Sequence, residues 1–286
     1  MPDQTLAGKV AIVTGSNTGI GAAIAQELSS RGASVVVNYP YPELANEANG
    51  VAAALPTAQA SIAVEADLTA EDGPRKLIDA TVGRYGPTIH ILVNNAGLAV
   101  NKPLAEQTLD DWNRLVNLNA RAVFLLVQGV LPYLPGTSSG PSAQGAVAQA
   151  HAQAQAQAQT QTQTQGLSPS FPFPEQQTMA TVDGGRIVNI VSISARAAPP
   201  LQTIYAGTKG MVDAMTKVWA KELPPRYGCT VNAVSPGPTM TAGFAAAGEE
   251  FMREMAPVMA QTPVGHRMAQ PEEIAGPGNG ADTRGT

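Results

Sequence analysis

The chain has 286 residues, 44% of them hydrophobic, and seventeen basic against twenty-two acidic side chains give a formal charge of -5. This length can bury a substantial core, and one catalytic domain is the default; the charge, with no long basic run, argues against nucleic-acid or anionic-membrane partners and for a small soluble one. Cys229 is the only cysteine and cannot form an internal disulfide, and His90, His151 and His266 are too scattered for a metal site. The opening MPDQTLAGK lacks a leader pattern, and the apolar stretch from Ala122 to Leu134 is interrupted and too short to span a bilayer, so a cytosolic location is expected.

Lys9 to Thr14 (KVAIVT) reads as a strand buried on both faces. It runs straight into Gly15-Ser16-Asn17-Thr18-Gly19-Ile20-Gly21 and then an amphipathic helical stretch ending at Arg31-Gly32. Glycines in such a turn let backbone N–H groups approach a phosphate, and the helix start favours negative charge, so the turn reads as a dinucleotide pyrophosphate cradle. A plain strand-to-helix connection is the competing reading.

The second strand is expected at Ala33 to Asn38 (ASVVVN). An acid near the end of this strand would grip the ribose 2′-hydroxyl of NAD and repel the 2′-phosphate of NADP. Asn38 stands there instead, followed by Tyr39, which favours NADP(H), although Thr18 and residues 39–41 supply no arginine or lysine for the phosphate and NAD(H) is not excluded. A helix is expected at Glu43 to Leu55 and a third strand at Ala60 to Ala66, ending in Asp67-Leu68. Asp67 has two compatible roles, accepting the adenine amine and capping the next helix. A fourth strand, Ile89 to Val93, leads into Asn94-Asn95-Ala96-Gly97, either a close approach to a cofactor or a simple turn. Thr108 to Leu131 carries a long helical pattern containing Asn117 and Asn119.

From Leu134 to about Asp183 the composition changes to Gly, Ser, Ala, Gln, Thr and Pro, with Ala-Gln and Thr-Gln alternation between Ala148 and Gln165. So little apolar surface cannot offset chain entropy, so residues 135–183 read as a disordered insertion or loose surface loop, with helix as a second reading. Gly185 to Val191 resumes with a fifth strand, the Tyr205 helix runs to Leu223, and Thr230 to Val234 is a sixth strand, followed by Ser235-Pro236-Gly237-Pro238-Thr239-Met240-Thr241. Met240, Phe244, Phe251, Met252, Met255 and Met259 then make either a mobile apolar lid or ordinary packing.

Ser192 follows the fifth strand directly, and Tyr205 and Lys209 are four apart, on one helix face. The lysine ammonium is expected to pull the phenol below its usual ~10, making Tyr205 a usable acid while Ser192 polarises a carbonyl oxygen. Gly15, Asp67, Asn94, Ser192 and Pro236 each follow an apolar run, so all fall at the carboxyl ends of strands, where open parallel sheets bind ligands. The expected fold is α/β: a three-layer, doubly wound parallel sheet of Rossmann type.

In these segments the chain resembles the short-chain dehydrogenase/reductase family. TGSNTGIG (Thr14 to Gly21) is similar to its cofactor turn, Asn94 to Gly97 to its NNAG segment, and Ser192 with Tyr205 and Lys209 to its serine and YxxxK pair. The resemblance makes Asn119 the fourth catalytic residue, holding a water that links the lysine to solvent, and has Pro236, Gly237, Thr239 and Thr241 contact the nicotinamide end. It implies hydride transfer between a nicotinamide and a carbonyl or alcohol carbon, in the manner of NADPH-dependent 3-oxoacyl and polyketide-type ketoreductases. Tyr205 would be acid or base, Ser192 would orient the oxygen, and Lys209 would hold the ribose.

The resemblance covers Leu6 to Leu134 and Gly184 to about Gly276, giving one catalytic domain of residues 1–134 and 184–276 with a tail at 277–286. QPEEIAG (Gln270 to Gly276) is similar to the start of the family's last helix, but the seventh strand expected after it is missing. That leaves the sixth strand's edge exposed and puts the family's homo-oligomeric assembly in question. An NAD-dependent alcohol dehydrogenase is the alternative enzyme, and a non-catalytic nucleotide-binding or scaffold protein the alternative of a different class.

Overall fold

The apolar runs form six strands in the computed structural model, which describes residues 3–135, 184–241, 253, 256, 257, 259, 260, 262 and 265–276. They are β1 (Val10–Val13), β2 (Ser34–Tyr39), β3 (Ile62–Glu65), β4 (Ile91–Asn94), β5 (Arg186–Ile190) and β6 (Thr230–Val234). All pair in parallel, in the order β3-β2-β1-β4-β5-β6, with Ile12 opposite Val36 on one side and Leu92 on the other. The order reverses between β1 and β4, which opens a crevice at their carboxyl ends.

Alternation along each strand divides the core into two layers. Ile12, Val36, Leu92 and Ile187 face one side, where they meet α3 (Gly73–Tyr85), α5 (Ala122–Val130) and α6 (Thr203–Glu222) through Leu77, Val123, Leu126 and Val212. Ala11, Val13, Val35, Val37 and Val93 face the other, against α1 (Gly19–Ser30), α2 (Ala45–Ala54) and the short α7 (Pro271–Ala275) through Ile24, Ala25, Ala48 and Ala275. Helices on both faces explain why the central strands lack polar alternation.

The long helical pattern from Thr108 is one run with a defect. After α4 (Leu109–Val116) the turn Asn117–Arg121 widens, and the Ala122 N–H reaches the Asn117 carbonyl five residues back. The whole run Leu109–Tyr133 is long and apolar enough, by length and composition, to cross a bilayer, which the shorter stretch read from the sequence did not suggest. Its apolar side is Leu115, Val123, Leu126, Val127 and Val130, all buried against the sheet, as in a core helix.

Among the described residues β6 pairs on one side only, no seventh strand is present, and Thr230, Asn232 and Val234 are exposed. The low-complexity stretch from residue 136 to 183, with Phe244, Phe251, Met252 and Met255 of the expected lid, lies outside the described residues.

Candidate active site

A cleft of about 880 Å³ lies over the carboxyl ends of the strands. Of the residues expected from the sequence, Gly15, Asn17, Thr18, Gly19, Ile20, Asn38, Asp67, Leu68, Asn95, Ala96 and Gly97 line it. Ser192, Tyr205, Lys209, Pro236, Gly237, Thr239 and Thr241 line it too. Ser16, Gly21, Tyr39, Asn94 and Asn119 do not, because each is built into the walls.

The glycine turn owes its shape to that wall. Gly15 adopts φ 56°, and a side chain on Gly21 would run into the Gly15 carbonyl and the Asn95 amide, so the turn and the Asn95 segment press together through glycine. Asn95 Nδ2 donates to the Thr14 and Gly15 carbonyls at 2.9 and 3.0 Å, and Ser16 Oγ donates to the Val13 carbonyl at 2.7 Å. The start of α1 beyond is bare: no side chain caps it at Thr18, and its first turn carries no acid. Free N–H groups on a positive helix end, reached across side-chain-free backbone, fit a dinucleotide pyrophosphate.

Asn38 requires a correction. Its side chain was expected at the adenosine ribose, but the residue is only 2% exposed and its amide is used inside the protein. Oδ1 accepts the Gly15 N–H at 3.1 Å, while Nδ2 lies 3.1 to 3.4 Å from the carbonyls of Tyr39, Val64 and Ala66. Asn38 therefore ties the glycine turn to the ends of β2 and β3. Tyr39 turns the other way, into the core with Val35 and Val37.

Asp67 does not cap α3, which begins after Asp72. Its Oδ1 accepts the Thr69 N–H and hydroxyl at 2.8 and 2.7 Å, closing a tight turn along the cleft wall and leaving Oδ2 for a ligand. Asn94 is buried beneath the cleft, donating to Asn189 Oδ1 at 2.8 Å, and Asn189 donates in turn to Thr216 Oγ1 at 2.8 Å.

Ser192, Tyr205 and Lys209 converge on the far side of the cleft. Ser192 Oγ accepts the Ser194 N–H at 3.1 Å, and its hydroxyl stands near enough to the Tyr205 phenol to favour the phenolate. Lys209 Nζ donates to the Ile190 carbonyl at 2.8 Å, and burial pushes this amine down to about 8. Burial pushes the phenol above 10, and the nearby Ser192 hydroxyl only partly opposes that. The expectation that Lys209 lowers the phenol thus fails in the free protein, because desolvation outweighs an ammonium whose hydrogen bond is directed elsewhere.

Asn119 lies behind this group, at the widened helical turn. It donates to the Leu98 carbonyl at 2.9 Å and to Thr208 Oγ1 at 3.1 Å, and accepts the Leu98 N–H at 3.0 Å. Opposite, the segment after β6 closes against the glycine turn: a side chain on Gly19 would come 3.3 Å from the Thr241 methyl.

The sequence reading missed Thr14, whose hydroxyl accepts the Asn95 and Ala96 N–H groups, each at 2.9 Å. Its place between the first strand and Gly15 was the available signal. Arg121 was missed as well; it donates to the Thr69 carbonyl at 2.5 Å and braces the Asp67 turn from behind.

The comparisons agree with this architecture. A family model described as short chain dehydrogenase matches residues 9–160, and one described as Enoyl-(Acyl carrier protein) reductase matches residues 147–277. The short-chain dehydrogenase/reductase FrzI of Cladobotryum sp is 33% identical over 279 residues, covering 96% of this chain and 88% of its own length. The 3-oxoacyl-[acyl-carrier-protein] reductase of Synechocystis sp. is 31% identical over 271 residues, covering 95% and 87%. Among solved structures, the angucycline C-6 ketoreductase LanV with bound NADP aligns with a TM-score of 0.70 at 27% identity, covering 94% of this chain and 86% of that one. A sheet with its crevice at the order reversal, a bare helix start beneath it and matches along almost the whole length lead to one conclusion: the chain belongs to the short-chain dehydrogenase/reductase family of oxidoreductases.

Proposed function

We propose that the chain is an NADP(H)-dependent carbonyl reductase acting on a small apolar substrate, with Tyr205 as the general acid. The observation that carries this reading is that Ser192, Tyr205 and Lys209 line the same cleft as the glycine turn, with Lys209 Nζ 5.9 Å from the centre of the Tyr205 ring. When bound, the reduced nicotinamide supplies the hydride for the carbonyl carbon.

The remaining work falls to the protein. Ser192 Oγ accepts the Ser194 N–H, which leaves its own hydrogen to orient the substrate oxygen. The Tyr205 O–H donates the proton to that oxygen, and Lys209, still charged at neutral pH, offsets the phenolate left behind. Burial pushes the phenol up, so Tyr205 keeps its proton until a substrate oxygen takes it. Gly15 to Ile20 hold the pyrophosphate, and Asp67 Oδ2 takes the adenine amine. Asn119 acts through Leu98 and Thr208, whose hydroxyl donates to the Tyr205 carbonyl at 2.8 Å.

NADP(H) is favoured by the likeness to NADP-bound LanV. NAD(H) is the second reading, favoured by the absence of Lys and Arg among the cleft-lining residues from Asn38 to Leu44.

The test compares wild type and Tyr205→Phe for binding of NADPH and NADH by fluorescence and for NADPH-dependent reduction of a panel of apolar ketones. Wild type should turn over, and the variant should bind NADPH within about twofold while losing on the order of 10²-fold or more in kcat. Substantial residual turnover in the variant removes the acid role from Tyr205. Tighter binding of NADH than of NADPH favours the second reading.

A further inference from the structure

The segment between Ser192 and Tyr205 gathers several costly features in one place. Ala198 and Leu201 have φ of 45° and 69°, a left-handed conformation that residues other than glycine keep only where their surroundings hold them in it. Beside them, the side-chain oxygens of Gln107 and Gln202 are buried with no partner among the described residues. Unpaired buried acceptors are rare and collect at strained or functional positions.

What maintains this arrangement is a set of bonds between two loops. The Lys102 N–H donates to the Leu201 carbonyl at 3.0 Å. Gln107 Nε2 donates to the Lys102 carbonyl at 2.8 Å and the Leu201 carbonyl at 3.3 Å, so one amide joins both loops. Gln202 Nε2 donates to Asn101 Oδ1 at 3.0 Å. The first loop is itself anchored, because Lys102 Nζ lies 3.0 Å from both oxygens of Asp111, the carboxylate of the capping box that starts α4.

The second loop leads straight into α6. Gln202 immediately precedes that helix, and no side chain caps it; the Gln202 side chain reaches across to Asn101 instead. Tyr205 is the third residue of α6. The loop joined to residues 101–107 is thus continuous with the helix that carries Tyr205.

We infer that Gln107 is a positioning residue for the proton donor: by joining the Lys102 and Leu201 carbonyls it locks residues 99–107 to residues 198–202 and holds Tyr205 against Ser192. This rests on the reading of Tyr205 as the acid. Gln107 does not line the cleft and acts only through Leu201 and the start of α6.

The test uses Gln107→Leu, which removes both donors at similar volume, and Asn101→Ala, a change at an exposed residue that serves if the first variant fails to fold. Each is compared with wild type by thermal melt, NADPH binding and NADPH-dependent reduction of ethyl acetoacetate. The Tyr205 phenol is also followed by ultraviolet difference titration against Tyr205→Phe in the same background. The expected result is NADPH affinity within about twofold, kcat lower by about tenfold or more with KM little changed, and a phenol titrating at higher pH, since the Ser192 hydroxyl that draws it down is held less closely. A purely structural role would lower the melting temperature while leaving the titration and the kcat per folded molecule as in wild type, and that outcome overturns the inference. The titration needs no turnover: if wild type reduces no ketone, the carbonyl-reductase reading fails while the titration still decides the positioning role. If wild type turns over and both variants match it, the positioning role fails alone.

Discussion

Lys209 Nζ lies 5.9 Å from the centre of the Tyr205 ring, yet its hydrogen bond goes to the Ile190 carbonyl at 2.8 Å. The residue is buried, 6% exposed at the cleft floor, and burial pushes its amine from 10.5 down to about 8. In the free protein this lysine is a charge the fold tolerates, available to a phenolate that appears only during reaction.

That arrangement has a measurable pH signature. Below pH 8 both the folded and the unfolded chain carry the Lys209 proton, and the cost of burying the charge is fully present. Between about pH 8 and 10.5 the unfolded chain binds more protons, so stability from this group rises with pH across that window. A depression of this size corresponds to about 3 kcal/mol, against about 1 kcal/mol for the bond to Ile190. Lys209→Met should therefore raise the melting temperature at pH 7 by the equivalent of about 1–2 kcal/mol, and the gain should disappear by about pH 10.5. Reductase turnover should fall on the order of 10²-fold in the same variant. Melts at pH 7 and 10.5 check the sign; a variant less stable at pH 7 contradicts the buried-charge account.

Asn38 offers a second test, because sequence and structure give it different work. If it faced the ribose, Asn38→Asp would convert the site to NAD(H). In the structure the amide nitrogen faces three carbonyls, so a carboxylate there would meet like partial charges in a residue that is 2% exposed. The expected outcome is a loss of about 2–4 kcal/mol in stability and weaker binding of both cofactors, with their ratio unchanged. Denaturant melts and paired titrations with NADH and NADPH measure it. A stable variant with a shifted ratio would return Asn38 to the ribose.

These two residues show where the sequence was legible. β1, β2, β4 and β5 could be read because strands covered on both faces are continuous apolar runs. The pairing of Tyr205 with Lys209 followed from helical spacing, and Ser192 from its place directly after the fifth strand. The direction of the Asn38 amide did not, since it depends on β3 contributing the Val64 and Ala66 carbonyls from a distant part of the chain. Nor did the pKa of Tyr205: spacing reveals a nearby cation, whereas desolvation depends on everything packed around the ring. Ala198 and Leu201 carry no glycine to announce a left-handed turn, and only the finished contacts across from Lys102 and Gln107 hold them there.

The ends of the stretch outside the described residues give the last prediction. Leu134 is buried, and a side chain on Gly185 would come 2.6 Å from Leu134 Cδ2, so the chain leaves and re-enters the fold at nearly one point. A side chain on Gly184 would collide with the Gly228 carbonyl, which fixes the re-entry tightly. That point is at the amino-terminal ends of β4 and β5, where Arg186 N–H donates to the His90 carbonyl at 2.8 Å, on the opposite edge of the sheet from the cleft. Replacing residues 136–183 by a linker of about six Gly and Ser residues should therefore leave NADPH binding and kcat within about twofold of the full chain. Loss of turnover in a shortened chain that still melts cooperatively would mean that residues 136–183 take part in the reaction.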